Sequence, residues 1–338
     1  MSGGYTCRRQ RGFVLALTLW VLAAIAIAAA YFADRTHRAI VLAQRSQDNS
    51  ETLRAMSDSR AEMLYRLATT QLTPYGLGPD MERAVRLDNT RYRAEGQTWL
   101  QVQDDLGLIN VNRAGDERLT RLLDQYGVGP SDAQPLLDKL HDYIEPGELR
   151  RLNGAKTVDY TAAGMPPPTH LPLLTPYQLS AVLGWSDLPF VRDAQFTNLL
   201  TTSGVGLLNP NMAPPEVLMT IPGMTKQSAQ ALIERRQLGP ITDVDLVARY
   251  AGVPIDTLMF QLQFFPSNSL QITQGGKGLA WALRYNVTFT PTDPDRPWHI
   301  DYAFRLPNAK PPNSNDNQDP FASLPALPAI VEPAPAVD

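Results

Sequence analysis

The sequence predicts an α+β fold in which one long N-terminal helix packs on an antiparallel sheet and a large all-α insertion interrupts the sheet. Two observations predict the helix and the sheet, and a third predicts the insertion. No glycine or proline occurs between Phe13 and Gln71, so a helix can run unbroken through this stretch. Two blocks with strand-like alternation, around residues 91–111 and 270–306, stand far apart in the chain, and helical periodicity fills the stretch between them.

The N-terminal helix opens with an uncharged run that is long enough to cross a membrane. The stretch 13–33, as a helix, spans a hydrocarbon core of about 30 Å. Three arginines among residues 8–11 precede it, and by the positive-inside rule they stay in the cytoplasm while the rest goes outward. The alternative is a signal peptide, because "AIAAAYFA" offers A-x-A spacing for a cut before Tyr31.

Beyond the span, the same helix is predicted to continue as an amphipathic segment to residue 72. Apolar residues recur there among charges at roughly helical spacing: Ile40, Ala43, Leu53, Met56, Leu64 and Leu67. The whole helix would be about 90 Å long at about 1.5 Å per residue. Because the apolar run is continuous with this polar segment, we expect it to be kept in the mature protein.

A short basic leader ending in Gly12, before a hydrophobic helix that starts with Phe13, resembles the class III leader of type IV pilins and type II secretion pseudopilins. The resemblance implies that prepilin peptidase cuts between these two residues and N-methylates the new terminus. It also implies that the span serves first as a membrane anchor and later as the core of a helical filament.

One position departs from the pattern of these proteins. Most of them carry Glu at the fifth mature residue, where this chain has Leu17. An acid at mid-membrane costs about 2.5 to 3.5 kcal/mol, and the family keeps it because it can pair with the amino terminus of the subunit added before. The K-type minor pseudopilin lacks this Glu and sits at the filament tip, so the resemblance implies a tip position.

Composition is typical of an exported chain with an assembly role. The chain has 30 Lys and Arg against 34 Asp and Glu, and removal of the three leader arginines leaves 27 against 34, a net charge of −7. This charge disfavours nucleic acid or anionic lipid as the main partner. Cys7 is the single cysteine and lies in the leader, so we expect no disulfide in the mature protein.

The helical stretch contains an internal repeat. "GLINVNRAGDERL" (107–119) and "GLLNPNMAPPEVL" (206–218) share Gly, Leu, both Asn, Ala, Glu and the last Leu. We expect the apolar pair to end an extended segment, and the two asparagines to form turns and cap the next helix. Each copy continues as helix, tight glycine turn and helix, which is the outline of a helix-hairpin-helix.

A helix-hairpin-helix can grip DNA phosphates with its turn amides, so DNA binding is the alternative to a packing role. Residues 107–152 carry eight acids against six bases, and the second copy has Thr225 where a second glycine would allow close backbone approach. Phosphate binding favours a basic surface. We therefore expect no nucleic-acid partner.

The chain also resembles the K-type minor pseudopilins of type II secretion systems (general secretion pathway protein K) over most of its length to about residue 250. The segments that carry this resemblance, in order, are "DLGLINVN", "LLDKLHDYIEPGELRRLNGAK", "LLTPYQLSAVLGW" and "LLNPNMAPPEVLMTIPGMTKQSAQALIERR". "HDYIEPGELRRLNGA" departs from the family, which usually has an Asp-Trp-Ile-Asp type of stretch with more carboxylates. That departure weakens the case for acid-dependent contacts there.

The resemblance implies a pilin-like core with a helical insertion, in agreement with the alternation pattern. The predicted divisions are a cleaved leader (1–12), the transmembrane part (13–33) and the periplasmic part (34–72) of the helix, the first part of the pilin-like domain (73–112), the inserted helical domain (113–264), the C-terminal strands (265–307) and a Pro-rich disordered tail (308–338).

Catalytic patterns are missing from the sequence. It has no G-x-S-x-G, no Walker loop and no G-x-G-x-x-G after a strand, and its four histidines do not stand at metal-ligand spacing. We expect no enzymatic activity and no required cofactor. The K-type family is associated with bound calcium, and Asp293 and Asp295 in the turn "PTDPDRP" are candidate ligands, although acids in such a turn more often only shape it.

The chain is therefore interpreted as a K-type minor pseudopilin at the pseudopilus tip, which nucleates the filament for export of folded proteins across the outer membrane. Expected partners are other minor pseudopilins, the major pseudopilin and prepilin peptidase. The expected location is the inner membrane of a Gram-negative bacterium, with the bulk of the chain in the periplasm. The alternatives are a minor pilin of a type IV pilus and a membrane-anchored helix-hairpin-helix DNA receptor.

Overall fold

One helix and one sheet frame the molecule. A computed structural model of the protein describes residues 13–147, 149–290, 293, 295–307 and 321–326. The predicted long helix, α1 (Phe13–Thr69), has 57 residues and is about 85 Å long at about 1.5 Å per residue. It contains no glycine or proline and ends just before the short hairpin of β1 (Leu72–Thr73) and β2 (Gly76–Leu77).

The remaining elements alternate between the sheet and the inserted unit. The chain first forms β3 (Asp88–Arg93) and β4 (Thr98–Asp104). The inserted unit then contains β5 (Ile109–Asn110), α2 (Asp116–Gln125), α3 (Pro130–Ile144), α4 (Thr157–Ala162), α5 (Ala194–Thr197), β6 (Leu200–Thr201), α6 (Pro215–Leu218), α7 (Lys226–Arg236) and α8 (Val244–Ala251). The final strands are β7 (Ser269–Gly276), β8 (Trp281–Phe289), β9 (Trp298–Pro307) and β10 (Ala322–Ser323).

Six strands form one sheet in the order β10-β3-β4-β7-β8-β9. All neighbours are antiparallel except β10, which runs parallel to β3. The two strand-rich blocks meet at β4 and β7, where Val102 lies opposite Ile272. The predicted α+β fold, a long helix on an antiparallel sheet with a helical insertion, is confirmed.

The helix packs on one face of this sheet through the part of α1 that is far from its apolar start. Met63 and Leu67 are buried there among the apolar side chains of the sheet. Those side chains are Leu100, Val102, Leu270, Ile272, Tyr285 and Val287. Near the start of the contact, Thr52 lies against Gly276, where a Cβ would overlap the Thr52 side chain. Glycine at this position therefore lets the helix approach the strand closely.

The inserted unit emerges from the opposite end of the sheet. β4 begins at Thr98, opposite Gly276 and therefore near Thr52, and it ends at Asp104. The chain thus leaves the sheet before the predicted boundary at 112/113, because Ile109 is buried in the core of the inserted unit. It rejoins the sheet at Ser269, close to the predicted start of the C-terminal strands at 265.

Part of the predicted disordered tail, 308–338, is an ordered strand. β10 pairs with the end of β3, and the Phe321 ring centroid lies 5.7 Å from the guanidinium carbons of Arg91 and Arg93. The prediction is therefore wrong for 321–326, since a short ladder and one ring contact require no hydrophobic periodicity. The rest of the predicted tail lies outside the described residues.

Candidate functional site

The described residues contain one helix that is long and apolar enough to cross a membrane, by length and composition. Its residues from Val14 to Phe32 are exposed on all sides, which suits lipid or neighbouring helices better than water. Phe13 begins α1, whereas Gly12, the other half of the predicted cleavage site, lies outside the described residues. Leu17 is 54% exposed, and the first turn of α1 holds no acid, so this position presents only apolar surface.

In the first repeat copy, an asparagine amide ties two distant segments together. Nδ2 of Asn112 donates to the carbonyl oxygens of Leu173 (2.9 Å) and Thr202 (3.2 Å), and Oδ1 of Asn112 accepts from the N–H of Leu173 (2.9 Å). Oδ1 of Asn110 accepts from the N–H of Asn112 (2.9 Å), which forms the expected turn. The Asn112 amide therefore hydrogen-bonds to the backbone of both loops, as a backbone peptide group would.

The second copy repeats this arrangement with different partners. Nδ2 of Asn211 donates to the carbonyl oxygens of Ile241 (2.9 Å) and Phe264 (3.3 Å), and its Oδ1 accepts from the N–H of Ile241 (2.7 Å). Oδ1 of Asn209 accepts from the N–H of Asn211 (3.0 Å). The sequence repeat thus encodes two equivalent clamps, which hold the inserted unit together.

The prediction that these asparagines also cap the following helices is wrong. The N-cap residues of α2 and α6 are Gly115 and Pro214, and neither makes a side-chain cap hydrogen bond. Both helices instead begin after the turn, because the second asparagine of each pair is already used by the distant loop.

The two glycine turns of the helix-hairpin-helix outline differ in what lies against them, although both glycines are exposed. In the first, the N–H groups of Gly127 and Val128 donate to carbonyl oxygens of α2, and Gly127 has φ 83°. In the second, a Cβ on Gly223 would overlap the carbonyl oxygen of Ala251, because the end of α8 lies directly against the turn. One side of the second turn therefore packs against the protein itself, whereas the first turn has no such neighbour.

The loop after α3, where the sequence departs from the K-type pattern, is anchored by buried carboxylates. Asp138 accepts from the N–H (3.1 Å) and Nδ2 (3.0 Å) of Asn153. Asp142 is fully buried and accepts from the N–H of Arg151 (3.2 Å), and the Lys156 ammonium lies 3.7 Å from Oδ1 of Asp142. Acid-dependent contacts are present after all, and the chain itself supplies their cation.

Two adjacent buried acids join the sheet to the inserted unit. Asp104, the last residue of β4, accepts from both the N–H (3.1 Å) and the hydroxyl of Ser267. Asp105 accepts from the hydroxyl of Ser269 and from Nδ2 of Asn286 (2.7 Å). We call Asp104, Asp105, Ser267 and Ser269 the carboxylate clasp.

The acids of the clasp have unusual protonation behaviour. Burial raises the pKa of Asp104 to about 6, although hydroxyl and N–H donors partly offset it. Burial also raises the pKa of Asp105 to about 7, against the hydrogen bonds of Ser269 and Asn286, and the neighbouring Asp104 charge raises it further. The two acids therefore titrate near neutrality.

Sequence reasoning missed the clasp. A pair of acids at the end of an alternating strand is ordinarily a solvated strand end, and only the apolar "LGLI" directly after it indicated burial.

The candidate calcium ligands lie in the β8–β9 connection. Oδ1 of Asp293 accepts from the N–H groups of Asp295 (3.0 Å) and Arg296 (3.2 Å), so Asp293 shapes the turn. No group of three or more His, Cys, Asp or Glu side chains able to hold a metal occurs within the part of the chain that the structure describes. Calcium binding by Asp293 and Asp295 stays a prediction.

Comparison with known proteins gives a structural match and no sequence match. No family model matches the chain, and a search of curated proteins finds no significant relative. Among solved structures, a chain of the GspK–GspI–GspJ complex from the type 2 secretion system of enterotoxigenic Escherichia coli is similar, with a TM-score of 0.53 and 15% identity.

The similarity covers 78% of this chain and 99% of the solved chain. At this identity it shows the fold alone. The chain therefore has a pseudopilin-like α+β fold, with one long apolar N-terminal helix that fits a single membrane anchor.

Proposed function

We propose that this chain is the K-type minor pseudopilin of a type II secretion system and acts at the tip of the pseudopilus. One observation carries the proposal. The apolar start of α1 continues without a break into the part of the same helix that packs on the sheet. The sheet in turn bears the inserted unit at its end remote from the apolar segment. The similar solved chain comes from a complex named for three such proteins, which supports other minor pseudopilins as partners.

The proposed mechanism is assembly rather than catalysis. After removal of residues 1–12, the span would lie in the inner membrane and then in the filament core, with the rest of the chain in the periplasm. Leu17 offers no carboxylate to the amino terminus of a preceding subunit. The chain therefore lacks the ion pair that would hold a subunit ahead of it. The inserted unit adds bulk above the helix, where a further identical copy would stack. Both features suit a subunit that nucleates the filament, with the major pseudopilin added below it.

The processing step gives the first test. Mass spectrometry of the mature protein from cells with prepilin peptidase should find a terminus at Phe13 carrying an N-methyl group. Cells without the peptidase should retain the leader. A terminus at Tyr31 would show that signal peptidase removes the span, and both the anchor and the pseudopilin proposal would fail.

The alternatives are separated by phenotype and by DNA affinity. Deletion should abolish secretion of folded substrates, whereas loss of pili alone would support a type IV minor pilin. The full chain in detergent micelles should show no salt-dependent DNA binding. Micromolar or tighter affinity at physiological salt, falling steeply as salt rises, would support the DNA-receptor alternative.

A further inference from the structure

Both crossings between the sheet and the inserted unit pass through the carboxylate clasp. The chain leaves the sheet at Asp104 and Asp105 and returns to it at Ser267 and Ser269. Each acid accepts from one serine of the returning segment, so two adjacent carboxylates tie the exit to the entry. The acids are 0% and 2% exposed.

The groups that face the clasp are mostly neutral. From the inserted unit come the hydroxyl of Thr201 and the amide of Asn209. From β8 comes Asn286, and further along the same face Arg284, whose guanidinium donates to Thr273 (2.9 Å) and to Asn198. A carboxylate pair in such surroundings is costly when both members are ionised, since like charges repel and water is excluded.

The ionisable groups on β9 complete the surroundings and connect the clasp to the surface. Tyr302 faces Asp105. The hydroxyl of Thr288 lies 3.3 Å from the Ser269 hydroxyl and 2.6 Å from Oδ2 of Asp301. Oδ1 of Asp301 lies 2.8 Å from Nε2 of His299, whose side chain is 48% exposed.

These contacts form a continuous row of hydroxyl and carboxylate groups from solvent to a fully buried acid. A proton taken up at Asp301 can be passed to Thr288, which gives its own proton to Ser269, which gives its own to Asp105. Each hydroxyl gains one proton and loses one, so the only net change is the transfer of one proton from the surface to the buried carboxylate.

We propose that the carboxylate clasp is a pH-operated latch between the sheet and the inserted unit, loaded through the Thr288–Ser269 hydroxyl relay. When a proton is present on the pair, the clasp holds the inserted unit in one orientation on the sheet. When both carboxylates are ionised, their repulsion loosens the two crossings, and the inserted unit moves as a body. The latch concerns a single molecule, and it does not depend on the filament function proposed above.

The test is a distance measurement in the full-length chain in detergent micelles. A Cys7→Ser background removes the only native thiol, and spin labels are placed at Gln227 on α7 and Ala280 beside the sheet, both exposed. The distance distribution between the labels should be narrow at pH 5 and clearly broader or shifted at pH 8. An identical distribution at the two pH values would overturn the latch.

Two variants sharpen this result. Asp105→Asn keeps an oxygen that can accept from Ser269 and Asn286 but removes the charge, so the narrow distribution should persist at pH 8. If this variant broadens as the wild type does, the latch is wrong. Asp142→Asn serves as a matched control, because that buried acid lies on α3, beside Lys156, and belongs to neither crossing; it should broaden at pH 8 as the wild type does.

The relay has a separate kinetic test. Fluorescent labels at the same two sites report the change after a rapid jump from pH 8 to pH 5. Thr288→Val keeps the shape of the side chain but removes the hydroxyl, so the two end states should be unchanged and closure should be severalfold slower. Closure at the wild-type rate would show that protons reach the clasp by another route.

Discussion

The two faces of the sheet are buried by different means. The face against α1 is apolar: Leu100, Val102, Leu270, Ile272 and Val287 are at most 1% exposed. The face under the inserted unit is polar, yet it is nearly as well buried: Gln103, Gln271, Thr273, Arg284 and Asn286 are at most 5% exposed. Along each strand, neighbouring residues therefore enter two different environments.

The inserted unit meets the polar face through specific partners. Gln103 donates to the carbonyl oxygen of Met212 (3.0 Å), and the rings of Tyr177 and Phe304 meet edge to face with centroids 5.0 Å apart. Hydrogen bonds of this kind contribute about 0.5–1.5 kcal/mol each, whereas burial of a whole leucine side chain contributes about 1.5–3 kcal/mol. The apolar face supplies most of the stability, and the polar face mainly fixes where the inserted unit sits.

The largest expected effect comes from the apolar face. Leu270→Ala removes a fully buried side chain next to α1, so it should lower the free energy of unfolding by about 2–5 kcal/mol. Denaturant titration of the full chain in micelles measures this change. Leu149→Ala, at a residue that is 92% exposed, is the matched control and should change little. Equal losses in the two variants would contradict the assignment of the core.

The next effect concerns the carboxylate clasp, where we expect a substitution to raise the free energy of unfolding and not to lower it. The pKa of Asp105 is raised to about 7 in the folded protein, so the protonated carboxyl binds its proton more tightly when the chain is folded. Its contribution to the free energy of unfolding is fully present below about pH 4 and is lost as the pH rises through 7. Asp105→Asn should therefore stabilise the protein at pH 8, by at most about 4 kcal/mol, because the pKa is raised by about three units, and it should flatten the pH profile. Thermal unfolding at a series of pH values checks this. An unchanged profile would show that Asp105 does not titrate in this range.

The two asparagine clamps should be equivalent. Asn112→Ala and Asn211→Ala each remove an amide that joins two loops, and each leaves buried backbone groups without a partner. Each substitution should lower the free energy of unfolding by about 1–3 kcal/mol. Denaturant titration of both gives the comparison, with Asn198→Ala, near the polar face, as a third asparagine outside the repeat. A cost in only one copy would mean that the repeat is a sequence similarity without a common structural role.

The smallest effect is expected on the polar face. Gln271 neighbours Leu270 but lies on the polar face, where its Nε2 donates to the hydroxyl of Tyr302 on β9 (3.2 Å). Gln271→Leu exchanges a hydrogen bond for apolar volume, so the free energy of unfolding should change by less than about 1 kcal/mol. A loss as large as that of Leu270→Ala in the same titration would show that polar contacts carry the stability of this face as well.

Hydrophobic periodicity and the positions of glycine and proline were sufficient to predict the long helix and the sheet. A stretch without glycine or proline became α1, and the alternation around Val102 and Ile272 became adjacent strands of one sheet. These patterns are local, and each residue type in them has the preference that the fold requires. The repeat was visible for the same reason, since its asparagines serve turns that form within a few residues.

The features that escaped prediction depend on residues distant in the chain. In the sequence, Asp104 and Asp105 are typical of a solvated strand end. Only the folded structure places Ser267 and Ser269 against them. The second asparagine of each repeat copy was expected to cap a nearby helix, whereas its partners lie far along the chain, as with Asn112 and Leu173. Local propensity cannot anticipate such contacts, because a polar side chain can be satisfied by many partners.

The position of this chain in the filament is the most direct test of the proposed function. Pseudopili are purified from cells in which this chain carries a label in the inserted unit, and the label is located on individual filaments. We expect one or a few copies, at one end only, and the same pattern for Leu17→Glu, because the bulk of the inserted unit remains. Label along the whole filament at the density of the major subunit would contradict the tip assignment.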